Sequence, residues 1–179
     1  MKSYVKKSVL IFVSIVLSGC GLTAPKSNDG YVDLDALGAL DAGNTMTLSF
    51  GPTLLRFASR HIDDDPTTRD LLRGLDGIRI KLYEIDGDAS RVAELMEGMN
   101  SQLREQDWES IVVMQENGEQ VYMLIKMVEG SIVGLTILAS DAGEAVIVNV
   151  MGDIRPEMFT KTMAALDVEL LELRVVGAN

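Results

Sequence analysis

Hydrophobic and polar positions change their spacing several times along the chain, and each change predicts an element. After Lys2, Lys6 and Lys7 comes an apolar run, Val9 to Leu17, closed by Leu17-Ser18-Gly19-Cys20. Residues 21–30 (GLTAPKSNDG) are small, polar and turn-forming, and are expected to be a tether. The mixed stretch from Tyr31 to Asn44 predicts a short element and a turn. Thr45 to Phe50 alternates as a short strand does. Pro52 then suits the first turn of a helix over 53–62, with Leu54, Leu55, Ala58 and Ile62 at helical spacing. Asp65-Pro66-Thr67 opens a second helix through Leu71, Leu72 and Leu75, which Asp76-Gly77 is expected to end. Over Ile78 to Ile85, Ile78, Ile80 and Leu82 point one way while Arg79, Lys81 and Tyr83 point the other.

The clearest helix is 88–105, where Val92, Leu95, Met96, Met99 and Leu103 form one stripe and Asp88 or Ser90 supplies a cap. Four strands follow: 108–116, 119–128, 131–139 and 144–151, joined by Asn117-Gly118, Glu129-Gly130 and Asp141-Ala142-Gly143. A last helix is predicted over 156–166, and the tail after Asp167 fits either helix or strand. The expected fold is therefore α+β: a mostly antiparallel sheet of five to six strands, ending in a four-strand meander, with helices packed on one face. Its domain spans 45–179, behind a signal segment at 1–19 and an anchor, tether and entry segment at 20–44.

Alternation splits the meander into two faces. One carries Val121, Met123, Ile125, Met127, Val133, Leu135, Ile137, Val146, Val148 and Val150, with no polar member, and is expected to be the core beneath the helices. The other includes Tyr122, Leu124, Lys126, Thr136, Ile147, Asn149 and Met151. It is more apolar than a solvated face usually is. On it Tyr122, Leu124, Ile147 and Met151 are expected to form a contact surface for a partner.

Composition narrows the function. Aromatic residues are 5% of the 179, so the core must be aliphatic and rich in methionine. The net charge of −11 argues against nucleic acid, whose affinity comes from cations meeting phosphates. Cys20 and His61 are the chain's single cysteine and histidine, which rules out an intrachain disulfide and a Cys/His zinc cage.

Nine residues cannot span roughly 30 Å of hydrocarbon, so the apolar run reads as a signal segment. Leu17-Ser18-Gly19-Cys20 resembles the lipobox of bacterial lipoproteins, which implies cleavage between Gly19 and Cys20 and a covalent diacylglycerol and N-acyl lipid on Cys20. Gly21 after the cysteine implies, by the same resemblance, delivery to the outer membrane with the domain facing the periplasm. Acyl chains contribute about 0.8 kcal/mol per buried methylene, enough together for a lasting tether. Cleavage would remove three lysines and no acid, leaving the mature domain more negative than −11. Such a body is expected to hang off an anionic surface.

Candidate chemistry is sparse. His61-Ile62-Asp63-Asp64-Asp65 brings a histidine near carboxylates, but consecutive aspartates diverge, and a polar turn with Asp65 near a cap suits them better than a metal loop. Asp86-Gly87-Asp88 reads as a strand-to-helix turn. There is no G-x-S-x-G, G-x-G-x-x-G or phosphate loop. No metal and no cofactor beyond the lipid are expected, and no catalytic residue.

The lipobox, the segment TLSFGPTLLRFASR, the strand entry Leu75 to Arg79, WESIVVMQENGEQVYMLIKMVEGSIVGLTILA, and the ending Val150 to Ile154 together resemble domain of unknown function 4252, over roughly 45–166. That resemblance implies an exported bacterial protein, often lipidated, and supplies no catalytic residues. The expected function is a non-catalytic binding or assembly module of the cell envelope, held to the membrane by its lipid, with a protein partner or a second copy of itself. The alternatives are a carrier of a lipid or other apolar ligand between sheet and helices, and, more weakly, a hydrolase using His61.

Overall fold

The computed structural model describes residues 22–33, 45–85, 89–116 and 118–155. The signal segment, Cys20, part of the entry segment, the Asp86-Gly87-Asp88 turn, Asn117, the helix expected at 156–166 and the tail lie outside them. The described chain forms strand β1 (Thr45–Phe50), helices α1 (Pro52–Ser59) and α2 (Pro66–Gly74), strand β2 (Leu75–Glu84) and helix α3 (Ala89–Glu105). Strands β3 (Trp108–Glu116), β4 (Glu119–Val128), β5 (Ser131–Ser140) and β6 (Glu144–Ile154) follow. The six strands make one antiparallel sheet in the order β1-β2-β6-β5-β4-β3. The α+β fold and the C-terminal meander are as expected.

Local chemistry accounts for most boundaries. Pro52 opens α1, where a missing N–H costs nothing. Asp65 caps α2, its carboxylate accepting from the backbone N–H groups of Thr67 (2.9 Å) and Thr68 (3.1 Å). Glu129 and Gly130 both take positive φ in the β4–β5 turn. One boundary differs from expectation: α2 ends at Gly74 and β2 begins at Leu75, with a bulge between Leu75 and Gly77. The reason lies in β6. Gly152, at φ +134°, lies against Leu75, and a Cβ there would fall 2.5 Å from the Gly74 carbonyl oxygen. That close approach lets β2 start pairing three residues early. It also sets the two most specific pieces of the family resemblance, Leu75–Arg79 and Val150–Ile154, side by side.

The helices occupy both faces of the sheet, not one. α3 packs Val92, Met96, Met99 and Leu103 against Tyr122, Leu124, Leu138, Ala145 and Ile147. α1 and α2 lie on the opposite face, where Leu55, Leu71 and Leu72 meet Phe50, Ile78, Val150 and Leu135.

Candidate functional site

The residues expected to be a contact surface are the inside of the protein. Tyr122, Leu124, Ile147 and Met151 are all buried, beneath α3 and an N-terminal strap, so that expectation is corrected. The same face of β2 is buried at Leu75, Gly77, Arg79, Lys81 and Tyr83, although Arg79 and Lys81 are charged.

The cover is the segment read as a tether. Residues 22–33 cross this face and are bound to it at several points. The Leu22 carbonyl accepts from Gly51 N–H (2.8 Å) and Ala24 N–H donates to Ser49 Oγ (3.1 Å). Asn28 Nδ2 donates to Asp76 Oδ2 (2.9 Å). Val32 N–H donates to Asn149 Oδ1 (3.1 Å), while Asn149 Nδ2 donates to the Gly30 carbonyl (2.9 Å). Arg79 Nη1 donates to the Val32 carbonyl (2.9 Å), and its guanidinium lies 4.9 Å from the Tyr31 ring centroid, a cation–π distance. The strap reaches this depth because two positions lack side chains: Gly77 receives Ala24, and Gly134 receives Gly30. The domain thus begins at least as early as Leu22, and not at 45.

The opposite face, expected to be the core beneath the helices, is one in part: α1 and α2 pack over Met123, Leu135 and Val150, and among the described residues the rest of the face is left half-buried or exposed. Register places its side chains in three rows across the six strands. The outermost is Met46-Leu82-Val146-Ala139-Val121-Met114, the middle one Leu48-Ile80-Val148-Ile137-Met123-Val112. The third runs from Phe50 through Ile78 and Val150 to Leu135 and Ile125, and it is the one near α1 and α2. Met123 and Leu135 are buried, but most of the others are half-buried, and Met46 and Met114 at the two ends of the outer row are 53% and 41% exposed. At its β4–β5–β6 end this face runs into an open groove of about 230 Å³, where Val121, Ala139 and Val146 meet Glu119, Asp141 and Glu144.

The Asp141 carboxylate accepts from Gly143 N–H (2.7 Å) and Glu144 N–H (2.8 Å). Those two bonds hold its pKa below the ordinary carboxylate value.

A family model matches residues 41–162, about two thirds of the chain, which spans every described helix and strand. The chain belongs to the DUF4252 family, a domain of unknown function. No curated protein matches it. The matched DUF4252 interval begins after the strap, so the segment that closes the buried face lies outside the match while Asn149, Arg79, Gly77 and Gly134, which receive it, lie inside.

In this DUF4252 domain His61 is exposed at the end of α1, its Nδ1 3.0 Å from the Phe57 carbonyl oxygen and its ring 4.6 Å from the Phe57 ring. Asp65, the carboxylate expected beside it, is engaged as the α2 cap. Among the described residues no group of three His, Cys, Asp or Glu side chains is placed to hold a metal ion. Nor is any described helix long and apolar enough to cross a membrane.

Proposed function

We propose that this protein is an outer-membrane-anchored lipoprotein facing the periplasm, a non-catalytic binding or assembly module whose contact surface is the open apolar sheet face. The observation that carries the reading is the continuity of that face: its two outer rows are apolar on all six strands, and most of their side chains are only half-buried. Apolar patches of that kind mark sites of association more often than they mark idle surface. Methionines at both ends of the outer row suit such a role, because the flexible, polarisable thioether adapts to an uneven partner. The address rests on Leu17-Ser18-Gly19-Cys20 behind a short apolar run.

Cell fractionation of a Cys20→Ala variant tests the anchor. The unaltered protein is expected in the outer-membrane fraction and the variant in soluble form. A variant that still sediments with the membrane would overturn the lipid anchor.

A further inference from the structure

The strap changes what a lipid on Cys20 would do to the domain. With a free tether over 21–30 the body could stand away from the bilayer. Instead the chain is held at Leu22, whose carbonyl takes the Gly51 N–H. Only Gly21 lies between Cys20 and Leu22, two residue steps with a reach of at most about 7 Å when fully extended. The Gly51 corner, where β1 passes into α1, must then lie against the membrane.

α1 begins at the next residue. It turns Leu55 and Ser59 inward and leaves Leu54 and Phe57 outside, Phe57 being 57% exposed. Leu22 itself, at the anchored end of the strap, is 56% exposed. An exposed aromatic and two leucines beside the anchor point are costly in water and well placed in the interface of a bilayer. Charge agrees. In a chain of net −11, the stretch from Pro52 to Arg60 carries Arg56 and Arg60, both exposed, and no acid, while the exposed Asp63, Asp64 and Asp65 follow beyond its far end. Cations near an anionic leaflet are attracted within a Debye length, so Arg56 and Arg60 favour the approach of α1 itself and not of the turn after it.

Resting on the lipoprotein reading above, we infer that α1 is a second membrane contact. In it Leu22, Leu54 and Phe57 enter the interface of an anionic leaflet, and Arg56 and Arg60 meet its headgroups. The sheet is thereby held at a set orientation, with β1 near the membrane and β3, at the other edge, away from it.

The test uses the full-length lipidated chain in vesicles of phosphatidylethanolamine and phosphatidylglycerol. Cys20 is the single natural cysteine and its thiol is consumed by the lipid, so Phe57→Cys and Val113→Cys can each be labelled alone with a polarity-sensitive fluorophore. Val113 is as exposed as Phe57 but sits on β3. Brominated lipids are expected to quench the probe at 57 several-fold more than the probe at 113, and less so in vesicles of phosphatidylcholine. Equal quenching at both positions, with Cys20 shown by intact mass to carry its lipids, would overturn the α1 contact and leave the lipoprotein reading standing. An unmodified Cys20 would overturn both.

Discussion

Asn149 sits at the centre of β6 with no exposed surface, and its amide is spent on the strap. The carbonyl oxygen accepts from Val32 and the amino group donates to Gly30, with Thr136 Oγ1 a further 3.2 Å acceptor. A buried donor or acceptor left without a partner costs about 1–3 kcal/mol. Replacing Asn149 with Ala is therefore expected to destabilise the fold by that order, and denaturant unfolding would measure it. Hydrogen exchange at Val32 should rise with it, and unchanged exchange would mean that the strap is held by other contacts. Asp141 makes a different prediction, about pH. Its folded pKa is depressed, so its contribution is present above the ordinary value of 3.8 and is lost as pH falls through the lower folded value. The amide resonances of Gly143 and Glu144 should titrate together with a midpoint below 3.8, and Asp141→Ala should abolish that titration. A midpoint at or above 3.8 would mean that the two backbone bonds do not persist in solution.

Among the elements, those with a strong local signal lie where their sequence puts them. The stripe of Val92, Met96, Met99 and Leu103 is the buried face of α3, and Asp65 caps α2 as its position before Pro66 suggests. The four meander strands begin where expected, each bounded by Gly, Asn or Asp turn chemistry. The element that its local sequence does not reveal is the strap. GLTAPKSNDG has no hydrophobic period and is rich in turn formers, which describes a solvated linker equally well. What distinguishes it is the set of partners waiting on β1, β2, β5 and β6, more than a hundred residues away for Asn149. β2 depends on distant partners in the same way. Its alternation reads correctly, but period alone does not say which side is inner, because Arg79, Lys81 and Tyr83 look like solvent residues until a backbone carbonyl and an aromatic ring close over Arg79.

For the molecule as a whole, the sheet has one face rich in polar partners and an opposite face whose central rows are apolar. That inversion matters for function, since it moves the candidate contact surface from Tyr122, Leu124, Ile147 and Met151 to the rows that include Met46, Val148 and Met114. Replacing Met46 and Met114 together with Lys should leave unfolding stability within about 0.5 kcal/mol of the parent, as exposed substitutions usually do. Cross-linking of the protein to its neighbour in the envelope, or to a second copy, should fall sharply. If cross-linking is unaffected, the open face is not the contact surface.

Period, turn residues and the Leu-Ser-Gly-Cys ending are local properties, so the order of elements, the antiparallel meander and the expected address could be read from the chain alone. Membership of DUF4252 could be read there as well, because its strand-entry and strand-ending pieces are contiguous residues. Which face is inside could not. Alternation establishes that the two faces differ, and hydrophobicity ranks them, but burial depends on what lies on top. Here a polar-looking strap and α3 cover the centre of the mixed face, satisfying its Asn and Arg with backbone partners. Two short helices cover part of the aliphatic one. Only the tertiary arrangement, in which Gly77 and Gly134 admit Ala24 and Gly30, decides which surface faces outward.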